Sequence, residues 1–266
     1  MRGFLVVLLY LAAIAAATHA ARRGGGRSPL REPALYLAIG AVLGHASWLA
    51  SALQPLGDVS MDLADSASLM GLVIGAGGAF ALLSPGYRGV AAVVLGLAAL
   101  LASGTGSMTP AREVAELGWP LAAHVVLALG SAGMFAVAAV LVVLLALQDA
   151  QLRSRHPAAW LTALPPVESL EHAMFTVIAT GMAALTVAIL IGLMFVTDLF
   201  GQHLVHKAIL ALAAWFTFAL LLIGRWRFGW RGRKAAGYTL VGFGVLALAY
   251  FGSKFVLEIL LGRHWG

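Results

Sequence analysis

Two long apolar runs flank a short basic segment in "AILALAAWFTFALLLIGRWRFGWRGRKAAGYTLVGFGVLALAY", residues 208–250. Each run is part of an apolar stretch of about 20 residues, which is the length that an α-helix needs to cross a bilayer. Because backbone polar groups in hydrocarbon must be satisfied internally, and no strand-like alternation is visible, these runs predict transmembrane helices. The segment between them, "GRWRFGWRGRK" (Gly224–Lys234), interleaves cations with aromatic residues, which predicts a hairpin anchored at a membrane surface.

The same pattern extends over the whole chain of 266 residues, of which 61% are hydrophobic and 11% charged. A typical soluble domain is about 45–50% apolar and about 25% charged. The sequence therefore predicts an all-α, polytopic integral membrane helix bundle, forming a single domain over residues 1–266. Eight spans are predicted, at about 3–20, 34–53, 66–84, 87–103, 119–147, 170–197, 207–224 and 235–261.

The distribution of Lys and Arg predicts the orientation, because these residues stay preferentially on the cytoplasmic side. If the N-terminus lies outside, the inner loops hold twelve of them: Arg22, Arg23, Arg27, Arg31, Arg88, Arg153, Arg155, Arg225, Arg227, Arg231, Arg233 and Lys234. The outer side then holds four: Arg2, Arg112, Lys207 and Arg263. Both termini are accordingly predicted to be outside.

Several classes of function are disfavoured. The formal charge of +6 belongs to loops beside lipid, so no nucleic-acid partner is predicted. The chain has no cysteine, which excludes disulfides, thiol redox chemistry and Cys-bound metals within it. It also has no P-loop or dinucleotide fingerprint and no hydrolase, kinase or dehydrogenase motif. No catalytic residue is predicted, and enzyme activity is left open.

Ionisable side chains inside predicted spans are the functional candidates, because they are costly in hydrocarbon. His45, in "GHASW", and His124, in "WPLAAHVVLALGS", lie about 8 and about 5 residues from the predicted outer ends of their helices. Lys254 and Glu258, spaced i,i+4 in the last span, occupy the same predicted leaflet.

Two imidazoles at similar depth on different helices predict a shared metal ion, and haem b suits an apolar bundle because its iron accepts histidine ligands. His45 and His124 are the predicted ligands. Trp48, Lys207 and Lys254 are the predicted cofactor-binding residues, the lysines beside the propionate groups. The alternative for each histidine is a packing residue that donates to a neighbouring carbonyl.

Two further features are weaker. His203 and His206, spaced i,i+3, could bind a metal if their loop is helical, but two ligands alone make a poor site. The pairs Gly40/Gly44 and Gly71/Gly75 predict close helix approaches.

The last hundred residues carry motifs that resemble the cytochrome c assembly family of haem-handling membrane proteins, and most closely its YpjD-like branch. These motifs are Leu164-Pro165-Pro166, Glu168, Gly181, Lys207, Trp215, Gly229-Trp230-Arg231-Gly232-Arg233 and Tyr250-Phe251-Gly252-Ser253. His124 matches the external haem-ligand histidine of that family, and His45 matches a histidine common in the YpjD-like branch.

The resemblance implies a multi-pass protein of the bacterial inner membrane that acts in haem trafficking or c-type cytochrome assembly. The partners expected are the bilayer, haem and other cytochrome assembly or membrane subunits. Two alternatives come from the residues alone. One is a transporter or accessory subunit for a small solute or metal ion, without haem. The other is a structural partner subunit.

Overall fold

The computed structural model describes residues 2–22, 31–53, 63–103, 119–153, 164–195 and 204–252. Within these ranges every regular element is a helix. The eight α-helices are α1 (Arg2–Arg22), α2 (Arg31–Leu53), α3 (Leu63–Ala81), α4 (Arg88–Ser103), α5 (Trp119–Leu152), α6 (Val167–Phe195), α7 (Leu204–Phe228) and α8 (Gly232–Ala247). Eight described helical segments are long and apolar enough to cross a membrane, α4 together with the short turn Pro85–Tyr87 before it and α8 together with the helical turn that follows it. The predicted all-α membrane fold is confirmed.

α5 and α7 run well past the C-terminal ends that hydropathy predicts. α5 has 34 residues, and at 1.5 Å per residue it is about 50 Å long, which exceeds the roughly 30 Å of a bilayer core. α7 continues through Arg225 and Arg227 to Phe228, because these basic residues end the apolar run without ending the helical backbone. α8 passes into a π-helical turn at Leu248–Gly252, and the predicted end of that span lies outside the described residues.

The chain divides into two compact units. The first unit comprises Met1–Leu56, Ala64–Thr109 and Val143–Ala173. The second unit comprises Gly57–Leu63, Pro110–Val142 and Met174–Gly266. The prediction of one integral membrane domain stays a prediction.

In the first unit, α1 packs against α2 and α4 through small side chains. α3 and α4 also lie close together, since a Cβ on Gly71 would lie 2.9 Å from the Cβ of Leu101. Gly40 has no atom within 4 Å of such a Cβ among the described residues, so the close approach predicted there is not seen. The buried alanines of this packing include Ala13, Ala17, Ala20, Ala38, Ala41, Ala91 and Ala98.

Arg88 opens α4 and is only 2% exposed, although the sequence places it among the loop cations. Its Nη1 donates to the carbonyl of Ala20, near the C-terminal end of α1, at 3.4 Å. The last carbonyls of a helix lack partners within the helix and carry partial negative charge, so a guanidinium beside them stabilises that end.

In the second unit, aromatic rings pack against glycines from neighbouring helices. The rings of Phe135 in α5 and Phe218 in α7 are stacked, with centroids 3.8 Å apart. A Cβ on Gly181 of α6 would lie 3.2 Å from the ring of Phe135, and one on Gly242 of α8 would lie 2.9 Å from Phe218. One stacked pair therefore joins all four helices of this unit.

The turn between α7 and α8 depends on two glycines with positive φ, Gly229 (65°) and Gly232 (56°). The amide of Gly229 donates to the carbonyl of Arg225 at 3.1 Å, which is the left-handed cap that commonly ends a helix. The predicted basic hairpin is therefore present as a tight turn between two antiparallel helices.

Candidate functional site

His45 is wholly buried in the first unit, within a polar network that joins three helices. Its Nδ1 lies 3.2 Å from the hydroxyl of Tyr10 in α1, and its Nε2 lies 2.8 Å from the hydroxyl of Ser68 in α3. A neutral imidazole donates from one nitrogen and accepts at the other, and hydroxyl groups can serve either tautomer. Both ring nitrogens of His45 are therefore used by the protein itself.

The hydroxyl of Tyr10 has room beside α3 because residue 75 is glycine. A side chain on Gly75 would overlap the hydroxyl of Tyr10 and move it away from His45. Tyr10 also meets the His45 ring edge-on, with centroids 5.9 Å apart. The close approach predicted for Gly71/Gly75 is thus confirmed, and at Gly75 it serves a buried hydrogen bond.

Trp48 lies one turn beyond His45 on α2, with ring centroids 6.1 Å apart. Its indole covers Gly3 of α1, where a Cβ would lie 3.4 Å from the ring. Trp48 therefore packs α2 against α1 beside the network. Its predicted contact with a cofactor stays a prediction.

His124 is half-buried in the second turn of α5, in the second unit. Its Nδ1 donates to the main-chain carbonyl of Ala188 in α6 at 2.7 Å. Since a carbonyl can only accept, the hydrogen of the neutral ring is on Nδ1, and Nε2 carries a lone pair. Within the described part of the chain, no hydrogen bond to Nε2 is found.

Gly192 makes this geometry possible. It lies one turn after Ala188, and a Cβ there would be 2.9 Å from Cε1 of the His124 ring. An imidazole whose Nδ1–H is bound to a carbonyl and whose Nε2 is unused has the arrangement typical of metal-ligating histidines. Sequence reasoning missed Gly192, although a glycine in the apolar run "ILIGLMF" was a visible signal.

The other predicted residues are distributed as follows. Lys207 is half-buried in the first turn of α7, in the second unit with His124. Lys254 and His203 lie outside the described residues, and His206 is exposed. Among the described ranges there is no group of three or more His, Cys, Asp or Glu side chains that could hold a metal ion.

The donor set at His124 fits a histidine ligand of haem iron, because Nδ1 is bound to a carbonyl. The donor set at His45 fits it less well, because iron could bind there only by displacing the hydroxyl of Tyr10 or Ser68. The predicted pairing of the two imidazoles on one iron stays a prediction. Sequence reasoning missed both hydroxyl partners, since neither residue belongs to a motif.

Comparison with known proteins identifies the family of this chain. The sequence model of the family described as "Cytochrome C assembly protein" matches residues 36–261. The inner membrane protein YpjD of Escherichia coli strain K12 is 36% identical over 112 residues, which are 42% of either chain. The cytochrome c biogenesis protein CcsA of Synechococcus sp. strain JA-2-3B'a(2-13) is 30% identical over 132 residues, covering 44% of this chain and 38% of CcsA.

The matched part spans less than half the length of these curated relatives. No solved structure matches this chain.

Proposed function

Because the chain belongs to the cytochrome c assembly protein family, we propose that it acts in c-type cytochrome biogenesis as a haem-binding protein of the bacterial inner membrane. Membership rests on the match over residues 36–261. The location is supported by the relative named as an inner membrane protein and by the eight described helices that are long and apolar enough to cross a membrane.

His124 is the ligand in this proposal, and the observation that carries it is the bond between its Nδ1 and the carbonyl of Ala188. Haem, when bound, would supply an iron that accepts an imidazole ligand. The Ala188 carbonyl fixes the tautomer and the orientation of the ring. In this tautomer the Nε2 lone pair would be the ligand atom for the iron.

His45 has a different role in this proposal. Its two hydroxyl partners make it the centre of a satisfied buried network, which holds α1, α2 and α3 together. The pairing of His45 with His124 on one iron remains the alternative, and variants of the two histidines separate these roles. Lys207 and Lys254 remain the proposed partners of the propionates.

An absorption spectrum of the detergent-purified protein, with and without added haem, tests the proposal. We expect a Soret band for the wild type and at least a tenfold weaker haem affinity for His124→Ala. His206→Ala is the matched control, because His206 is an exposed histidine at the start of α7. A colourless protein that cannot be loaded with haem, or equal affinities for wild type and His124→Ala, would overturn it.

The cellular role needs a second experiment. In a strain lacking this protein, we expect less haem covalently attached to c-type cytochromes, measured by haem staining of membrane proteins. Expression of the wild-type protein should restore the amount of attached haem, and expression of His124→Ala should not. Normal cytochrome levels in the deletion strain would refute the role in biogenesis and leave haem binding to be judged by the spectra.

A further inference from the structure

A groove of about 330 Å³ lies on the surface of the second unit, along α7 and α8. One end carries two cations, Arg233 and Lys234, and the other end reaches Val241. Val241 lies eight residues after Arg233, which is about 12 Å along the helix. The lining residues are Thr217, Arg233, Lys234, Gly237, Tyr238 and Val241. The groove is thus cationic at one end and mainly apolar along its length.

The two helices that line the groove carry charge of one sign. From Leu204 to Gly252 the sequence has no Asp or Glu, whereas Gly224–Lys234 alone has five Arg or Lys. The side chains of Arg233 and Lys234 are exposed at the groove. Local charge therefore favours an anionic occupant, and no carboxylate of this hairpin competes for the two cations.

The cationic end is held in place by stacked aromatic rings. The Nζ of Lys234 lies 3.7 Å from the centroid of the Trp230 ring, a cation–π contact. Trp230 in turn stacks on Tyr238, with centroids 5.0 Å apart. Its ring fills the space beside Gly224, where a side chain would overlap it. An ammonium group that is ordered in this way binds an anion with a smaller entropic cost.

The apolar part of the groove is open because residue 237 has no side chain. No atom lies within 4 Å of a Cβ built on Gly237, so the space beside it belongs to no other part of the described chain. In a bilayer an apolar groove on the surface of a helix pair is filled by hydrocarbon.

We propose that this α7–α8 groove binds one anionic phospholipid. The phosphate contacts Arg233 and Lys234, and an acyl chain lies over Gly237 toward Val241. This inference is independent of the proposed haem function. Haem also carries anionic groups, but the lining residues include no histidine.

Retention of lipid by the purified protein tests the proposal. The protein is reconstituted in nanodiscs with equal parts of phosphatidylglycerol and phosphatidylcholine, extracted, and analysed by native mass spectrometry. We expect one retained phosphatidylglycerol and at least a tenfold lower retention for Arg233→Gln/Lys234→Gln, since each cation near an anionic surface contributes about a fivefold effect. Gly237→Leu, whose Cβ would have no other atom of the described chain within 4 Å, should lower retention as much by occupying the groove.

Two matched variants serve as controls. Gly244→Leu adds the same side chain to open space two turns farther along α8, outside the groove. Arg227→Gln removes an exposed cation of the same hairpin that does not line the groove. Both should retain phosphatidylglycerol like the wild type.

Other results would overturn the proposal. Equal retention of phosphatidylcholine and phosphatidylglycerol would remove the anionic selectivity. Unchanged retention in Gly237→Leu and the double variant would place any bound lipid elsewhere. Loss of haem absorbance in Gly237→Leu with unchanged lipid would assign the groove to haem.

Discussion

The imidazole of His124 lies where a side chain on Gly192 would be. An added Cβ would be 2.9 Å from Cε1 and 3.1 Å from Nδ1 of the ring. A contact below 3.0 Å forces a shift, and we expect the ring to move away from the Ala188 carbonyl that it now binds. A glycine of α6 thus determines where a histidine of α5 can be.

Gly192→Ala should weaken haem binding without removing any donor. We expect roughly a 10- to 100-fold loss of haem affinity, the range found when the orienting partner of a metal ligand is removed. Titration of the purified protein with haem, followed at the Soret band, measures it. Gly181→Ala is the control, because its Cβ would crowd Met134 and Phe135 rather than His124. A larger loss in Gly181→Ala would mean that helix packing, and not ring orientation, controls affinity.

His45→Ala should lower stability and leave haem affinity within about threefold of the wild type. The variant leaves a cavity and removes the partner of two buried hydroxyl groups, at a cost of about 2–4 kcal/mol in the free energy of unfolding. Denaturation in detergent measures the free energy of unfolding, and a haem titration measures the haem affinity. If His45→Ala loses haem as completely as His124→Ala does, the two-histidine pairing is correct instead.

Tyr10→Phe isolates one hydrogen bond of the buried network. The ring and its edge-on contact with His45 remain, but one imidazole nitrogen loses its partner, which costs about 1–3 kcal/mol. The matched control is Tyr36→Phe, which removes a hydroxyl from an exposed tyrosine of α2. Equal unfolding curves for the two variants would show that the Tyr10 hydroxyl contributes nothing measurable.

Phe218→Ala should destabilise the second unit by removing half of the stacked pair that joins its helices. Replacing a buried Phe by Ala usually lowers the free energy of unfolding by about 3–5 kcal/mol, through lost burial of apolar surface and through the cavity left behind. Lipid is as apolar as a phenyl ring, so the first contribution is smaller here and the cavity contribution remains. We expect about 2 kcal/mol from reversible unfolding in detergent. Phe216→Ala, which removes an exposed ring two residues away, should cost far less.

The predicted orientation can be tested by cysteine labelling, because the chain has no cysteine of its own. Trp119→Cys and Trp226→Cys replace residues that are 79% and 87% exposed, at the start of α5 and near the end of α7. With both termini outside, a membrane-impermeant maleimide should label residue 119 in intact spheroplasts. Residue 226 should react only after the membrane is opened. The reverse pattern would invert the topology.

Hydropathy alone predicted the number of helices and most of their ends. It failed at α7, where Arg225 and Arg227 end the apolar run but have good helix propensity and can extend toward the lipid headgroups. It gave no sign of the π-helical turn at Leu248–Gly252.

The surroundings of the two histidines could not be predicted from the sequence. A span that is apolar on every side gives no periodicity from which to infer the face that meets a neighbouring helix. Tyr10 is 35 residues from His45 in the chain, and Ala188 is 64 residues from His124. The sequence located both imidazoles along their helices, but only the packing reveals that one is hydrogen-bonded at both nitrogens.

The Tyr10–His45–Ser68 network also bears on how the chain is made. α1 leaves the ribosome before α2, and the hydroxyl of Tyr10 gains its imidazole partner only when α2 has followed. The imidazole is in turn completed by Ser68 of α3. A polar group without a partner in hydrocarbon costs several kcal/mol, so the first two spans gain by staying beside the translocon until the third arrives. We therefore expect insertion of these three helices to be coupled, because the hydrogen bonds of His45 are complete only when Ser68 is present.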